Sequence, residues 1–170
     1  MALQMTRTDE KAAIRGLLDD WVQAARANDI DGIMAVYAPD VVAFDAIAQL
    51  QFKGAEAYQK HWEACIAMCP APIFEIHDLS IAAAGDVAFG HYLLRCGAAG
   101  EDGEEKTGWM RVTVCYRKRS GRWMVVHEHF SAPFDIESGK ALLNLEPQNS
   151  DRFLYTGGAS DDRRTRQSNG

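Results

Sequence analysis

The 170-residue sequence lacks long hydrophobic runs and any excess of positive charge. No apolar stretch approaches the ~20 residues that a helix needs to cross a bilayer, and the first ten residues lack the apolar core of a secretion signal. The formal net charge is -6, which argues against nucleic acid or an anionic membrane as the main partner. We therefore expect a cytoplasmic protein that binds neither nucleic acid nor membranes.

Motifs for several kinds of chemistry are also missing. The chain has no glycine-rich phosphate loop, no G-x-S-x-G motif and no C-x-x-C pair among its four cysteines. Cys65 and Cys69 lie one helical turn apart and His61 lies one turn before them, so this stripe could bind a metal. Because no second ligand cluster accompanies it, we expect free thiols, no metal and no cofactor.

The first half of the chain predicts three helices. Apolar residues recur at helical spacing over 8–28, over a short segment 31–37 and over 54–68. Proline residues follow the second and third segments and favour their ends there. A strand is expected over 41–47, and a short strand around 50–52.

The second half changes to the alternation of two that is typical of strands. Four long strands are expected, joined by hairpins: 73–83, 87–96, 107–119 and 121–131. Helices followed by strands indicate an α+β fold, with a strongly curved antiparallel sheet forming a cone-shaped barrel around the three N-terminal helices. We expect residues 1–147 to form a single domain and residues 148–170 to form a polar C-terminal tail.

The open face of such a sheet needs cover, and a second copy of the chain is the simplest cover. We therefore expect a homodimer through the open sheet face. Alternation predicts these apolar residues for the interface: Met110, Val112, Val114, Tyr116, Met124, Val126 and Phe130.

The last predicted strand carries two histidines in an apolar row. Strict alternation places Trp123, Val125, His127, His129 and Ser131 on one face. We interpret this face as the wall of a cavity that is dry at one end and polar at the other. The histidines could orient a substrate oxygen, move a proton or bind a metal; alternatively, they are structural residues bonded to a neighbouring carboxylate or carbonyl.

Arg111 lies in the middle of the preceding strand, where an unpaired charge is costly. It either binds a carboxylate or phenolate in the same cavity or forms an internal salt bridge with Asp45 or Glu128. Further residues could line a pocket for a flat hydrophobic ligand, although ordinary core packing is the alternative for each. They are Trp21, Tyr37, Phe44, Trp62, Phe89, His91, Trp109 and Thr113.

The order of these elements resembles the nuclear transport factor 2-like (NTF2-like) superfamily, which includes ketosteroid isomerase and SnoaL-like polyketide cyclases. The likeness covers residues 8–135. It is sharpest from Trp21 to Asp45, which is similar to the N-terminal segment of ketosteroid isomerase. The spacing of Trp123, His127 and His129 is similar to the last strand of SnoaL-like proteins.

The resemblance implies that Asp45 is a general base, because it matches the isomerase's base position; the alternative is a strand-end aspartate that reaches solvent or caps a loop. Trp21 and Thr113 fall where the isomerase has its two oxyanion donors, so a true steroid isomerase is not expected. The first hypothesis is a cofactor-independent isomerase, dehydratase or cyclase in which Asp45 takes a proton while Arg111, His127 and His129 stabilise the developing charge. The alternatives are a non-catalytic module for a small hydrophobic or carboxylate-bearing ligand and a dimeric assembly module.

Overall fold

The computed structural model describes residues 7–69 and 72–147. Within these ranges the chain forms three helices: α1 (Arg7–Arg26), α2 (Ile30–Met34) and α3 (Ala55–Met68). The same described residues form six strands: β1 (Tyr37–Phe44), β2 (Phe52–Lys53), β3 (Pro72–Ala84), β4 (Val87–Ala99), β5 (Glu105–Arg119) and β6 (Arg122–Ser131). The predicted tail at 148–170 lies outside the described residues.

The helices follow from local sequence. In α1, Ile14, Leu18, Trp21 and Ala25 recur every three or four residues, and all four are buried. Asp29 caps α2 because its carboxylate accepts a hydrogen bond from the backbone N–H of Gly32 at 3.0 Å. None of the described helices has the length and apolar character that crossing a membrane requires.

The sheet has the strand order β2-β1-β6-β5-β4-β3. Every neighbouring pair is antiparallel except β1 and β6, which run parallel. α1 packs against β3 and β6, and α3 packs against β1 and β2, so the helices lie along the concave side of the curled sheet. The predicted α+β cone is confirmed, although the sheet stays open. Tyr37 begins β1 and does not end a helix as predicted.

A β-bulge in β6 decides which side chains face the core. Tyr116 of β5 pairs with Val125 of β6, whereas the neighbouring residue of β5, Cys115, pairs with His127. Val126, between Val125 and His127, is therefore an extra residue without a partner of its own. Trp123 and Val125 are therefore buried before the bulge, whereas Glu128 and Phe130 are buried after it. Strict alternation is broken, and His127 and His129 lie on the outer face.

The residues predicted for the dimer interface mostly belong to the core. Val112, Val114, Tyr116 and Phe130 are no more than 5% exposed within the single chain. The prediction that they form an open face is wrong, because the helices already cover this side of the sheet. The outer face instead carries the alternate positions of the same strands, including Phe89 on β4.

Candidate functional site

A cavity of about 460 Å³ lies between α3 and the ends of strands β3 to β6. Its walls are mostly apolar: Trp62, Ile66, Phe74, Leu94, Met110 and Phe130. Leu143, from the segment after β6, contributes to its rim. Polar side chains enter at a few positions: Asp45, His61, Lys106, Thr107 and the thiols of Cys65, Cys69 and Cys96. Apolar walls with a few polar groups are typical of small-molecule sites.

Asp45 and His61 form the main polar contact in this wall. Asp45 follows the last residue of β1, and His61 lies on the inward face of α3. The Asp45 Oδ2 atom is 3.3 Å from His61 Nε2, and the two side chains are only 10% and 6% exposed. Asp45 also accepts hydrogen bonds from the Tyr58 hydroxyl at 3.1 Å and from the Ile47 backbone N–H at 3.0 Å.

The contact with Asp45 favours the protonated, positively charged form of the His61 imidazole. Its hydrogen bond to Asp45, followed by the contact with Cys65, raises the pKa of His61 from 6.5 to about 9, although burial acts in the opposite direction. At neutral pH the imidazole is therefore protonated, and it forms a buried ion pair with the carboxylate of Asp45. Such a pair offers both a proton acceptor and a proton donor to the cavity.

The thiol of Cys65 is the third member of this group. Its Sγ atom lies 3.6 Å from His61 Nε2 and 4.0 Å from Nδ1, because the two residues are four apart on α3. Cys96 also lines the cavity, but burial, with smaller contributions from Asp45 and Cys69, raises the pKa of its thiol to about 11.

A second polar cluster lies deeper in the core around Glu128, which is 3% exposed. The Tyr37 hydroxyl donates a hydrogen bond to Glu128 Oε1 at 2.8 Å. Burial raises the pKa of Glu128 to about 7, against the opposing effect of its hydrogen bonds with Tyr58 and Tyr37. Because Tyr58 also bonds to Asp45, its hydroxyl links the buried carboxyl to the cavity.

Of the residues predicted from the sequence, Asp45 and Trp62 line the cavity. Trp21 and Tyr37 are buried beside it in the core. The ring of Trp21 packs edge-on against Trp62 at 5.6 Å and against Phe74 at 5.8 Å. Trp21 therefore supports the wall of the cavity, and Tyr37 supports the Glu128 cluster.

The remaining predicted residues do not line the cavity, and the expectation that they share a wall with Asp45 is wrong. They lie on the outer face of the sheet: Phe44, Phe89, His91, Trp109, Arg111, Thr113, His127 and His129. His127 bonds through Nδ1 to the carbonyl oxygen of Val42 at 2.7 Å. Three of these residues lie side by side across neighbouring strands, because His91 pairs with Thr113 and Thr113 pairs with His129.

The sequence analysis considered His61 and Cys65 only as members of a metal-binding stripe and assigned no role to Tyr58. Tyr58, His61 and Cys65 recur at helical spacing, which indicates a shared face, but the sequence does not say that this face meets Asp45. Glu128 was considered only as a possible partner of Arg111, because strict alternation places it on the face opposite His127 and His129. No group of three or more His, Cys, Asp or Glu side chains within 7–69 and 72–147 is arranged to hold a metal.

The fold and this cavity define a class of small NTF2-like proteins with an internal pocket. A model of the SnoaL-like domain matches residues 14–135, so the chain belongs to the SnoaL-like family. None of the curated proteins matches the chain.

Among solved structures, an NTF2-like protein of unknown function from Pseudomonas putida KT2440 is 51% identical. That comparison has a TM-score of 0.78 and covers 85% of this chain and 100% of the other. A candidate dehydratase of the NTF2-like family from Streptomyces avermitilis is 14% identical, with a TM-score of 0.66 and coverage of 74% and 97%. A candidate aromatic ring hydroxylase from Novosphingobium aromaticivorans is 18% identical, with a TM-score of 0.66 and coverage of 75% and 91%. Likeness at these lower identities concerns the fold alone.

Proposed function

We propose that the cavity binds a small, mainly apolar molecule with a carbonyl or carboxylate oxygen, and that Asp45 and His61 transfer protons on it without a cofactor. One observation carries this proposal. A carboxylate and an imidazolium lie 3.3 Å apart in the wall of an otherwise apolar cavity. The reaction class is isomerisation, dehydration or aldol-type cyclisation, because these share the removal of a proton next to a carbonyl group.

The two residues have different roles in this proposal. Asp45 accepts the proton from the carbon next to the carbonyl, and the electron pair moves onto the carbonyl oxygen. The His61 imidazolium donates a hydrogen bond or its proton to that oxygen, which stabilises the developing negative charge in a dry site. Tyr58 and the Ile47 N–H hold the Asp45 carboxylate in place.

Other groups in the wall fit a ligand that contains oxygen. Trp62 lines the cavity, and its buried indole N–H has no acceptor within the described part of the chain. Lys106 lines the cavity as well and supplies a positive charge for a carboxylate.

Hydrogen exchange at carbon tests the proposal before the substrate is known. The protein is incubated in D2O with a panel of cyclic and aromatic ketones, and NMR measures deuterium incorporation next to the carbonyl. We expect the native protein to accelerate exchange for at least one ketone, Asp45→Asn to abolish it and His61→Gln to lower it by about 10- to 1000-fold. The matched control is Glu63→Gln, because Glu63 is an exposed residue on the same helix. Equal exchange rates in the native protein and Asp45→Asn would reject the role of Asp45.

A non-catalytic binding module is the second candidate. The observation that favours it is that the Asp45 carboxylate already accepts hydrogen bonds from Tyr58 and Ile47 and contacts His61. Ligand binding is measured from the tryptophan fluorescence, to which Trp62 at the cavity wall contributes. Tight binding of a ketone without any deuterium incorporation would favour this function over catalysis.

We also propose a homodimer, formed through the outer face of the sheet. Several large apolar side chains on this face are exposed in the single chain: Phe44 by 38%, Val87 by 43% and Phe89 by 51%. Exposed apolar groups on one face of a sheet are typical of an interface. Phe89→Glu is expected to give monomers by light scattering at micromolar concentration, whereas Glu101→Gln in the β4–β5 turn leaves the dimer intact. A native protein that is monomeric at this concentration would reject the proposal.

A further inference from the structure

Cys65 occupies a chemical environment that proton transfer by Asp45 and His61 does not use. Its Sγ atom lies 3.6 Å from the imidazole Nε2 of His61, and both side chains line the same apolar cavity. The imidazole in turn contacts the Asp45 carboxylate at 3.3 Å. The same Nε2 atom of His61 is therefore within reach of both the Asp45 carboxylate and the Cys65 sulfur, which places an imidazolium proton beside a potential sulfur nucleophile.

The surroundings of Cys96 and Cys115 differ from those of Cys65. Cys96 lines the cavity, but its pKa is raised to about 11, first by burial and then by the nearby Asp45 and Cys69. Cys115 lies on the outer face of β5, and burial raises its pKa as well. A raised pKa keeps a thiol protonated and unreactive at neutral pH. Cys65 contacts the His61 side chain at 3.6 Å.

We propose that Cys65 is a nucleophilic site that adds to electrophilic small molecules in the cavity, specifically to α,β-unsaturated carbonyl compounds. The Cys65 thiolate forms a bond to the β-carbon, and the carbon–carbon π bond breaks. Its electron pair becomes an enolate, which accepts the proton of the His61 imidazolium. A saturated thioether and a neutral imidazole result, so atoms, protons and electrons balance without an oxidant or reductant.

His61 is the charged group in contact with the Cys65 sulfur. The Asp45 carboxylate is bonded to Tyr58 and the Ile47 N–H as well as to His61. The Tyr58 hydroxyl stays neutral because burial raises its pKa well above 10. The imidazolium is therefore the group placed to give its proton to the enolate.

Two probes test the site in the intact protein: N-ethylmaleimide and 2-cyclohexen-1-one, a small apolar enone. Mass spectrometry of peptides follows the modification of each cysteine at pH 7, so that Cys96 and Cys115 serve as references within the same molecule. We expect Cys65 to react at least 10-fold faster than either reference. Cys65→Ser is expected to remove the fast adduct, which confirms its assignment.

The His61→Gln variant tests the role of the imidazolium. We expect the rate at Cys65 to fall about 10-fold while the rate at Cys115 stays unchanged. A Cys65 rate within 2-fold of the Cys115 rate in the native protein, or an equal Cys65 rate in the native protein and in His61→Gln, would overturn the inference.

The outcomes separate this inference from the proposed function. Rapid modification of Cys65, together with exchange that persists in Asp45→Asn, supports the nucleophile and rejects the general base. Unreactive Cys65, together with exchange that Asp45→Asn abolishes, rejects the nucleophile and supports the general base.

Discussion

The buried carboxyl of Glu128 makes the stability of this protein depend on pH. Glu128 is 3% exposed and accepts a hydrogen bond from Tyr37 at 2.8 Å, and no cation contacts it closely enough to form a salt bridge within the described residues. Burial raises its pKa from 4.5 to about 7. Folding therefore favours the protonated acid, and the charged carboxylate opposes folding.

The size of the effect follows from the two pKa values. The folded protein holds the Glu128 proton up to about pH 7, whereas the unfolded chain loses it near pH 4.5. Between these values the folded state binds more protons, so the free energy of unfolding falls as the pH rises. At ~1.4 kcal/mol per pH unit, the loss between pH 4.5 and pH 8 amounts to about 3 kcal/mol.

Glu128→Gln removes this loss, because an amide has the shape of the protonated acid and never becomes charged. We expect the two proteins to unfold at similar urea concentrations at pH 4.5. At pH 8 the glutamine variant should be more stable by about 3 kcal/mol. Urea titrations at several pH values, followed by tryptophan fluorescence, measure the difference.

The control is Glu101→Gln, which removes the same charge from an exposed turn and should change stability by less than about 0.5 kcal/mol at every pH. A difference between the native protein and Glu128→Gln that is constant from pH 4.5 to pH 8 would refute the argument. It would mean that Glu128 is ionised, or protonated, to the same extent in the folded and unfolded states.

Two further predictions concern the cavity. Asp45→Asn should lower the pKa of His61 from about 9 toward 6.5, because the hydrogen bond with Asp45 is the main cause of the raised value. NMR titration of the imidazole protons measures this pKa. An unchanged pKa would contradict the ion pair. Gly97→Ala should lower the melting temperature by several degrees, because the added Cβ would lie 2.0 Å from the backbone oxygen of Lys106 and would push β4 and β5 apart. Gly16→Ala is the matched control: a Cβ there meets nothing within 4 Å in the exposed part of α1, so a helix-favouring alanine should be neutral or slightly stabilising.

The sequence was sufficient for the elements that local rules govern. The buried residues of α1 follow helical spacing, and Ser120–Gly121 forms the turn before β6 as expected. Asp45 could be placed in a pocket through the resemblance alone. The position of His61 could not be predicted, because helical spacing shows that Tyr58, His61 and Cys65 share a face but not which strand end that face meets.

The assignment of faces along β6 was the main error, and it has a single physical cause. One extra residue in a strand reverses the faces of all residues that follow it. Val126 is β-branched and apolar, and no glycine stands near it, so nothing in composition marks the bulge. Glu128 was consequently assigned to the outer face, and His127 and His129 were assigned to the cavity.

The bulge itself can be tested by deletion. Val125 pairs with Tyr116 and His127 pairs with Cys115, which are consecutive residues of β5. Deletion of Val126 therefore closes the ladder while leaving Glu128 and Phe130 on the inner face. We expect this variant to fold, with a melting temperature only a few degrees lower.

Deletion of Val114, in the regular ladder between β4 and β5, should prevent folding, because it turns Tyr116 outward or shifts the pairing with β4. Circular dichroism and light scattering distinguish the two, and an unfolded Val126 deletion beside a folded Val114 deletion would contradict the assignment of the bulge.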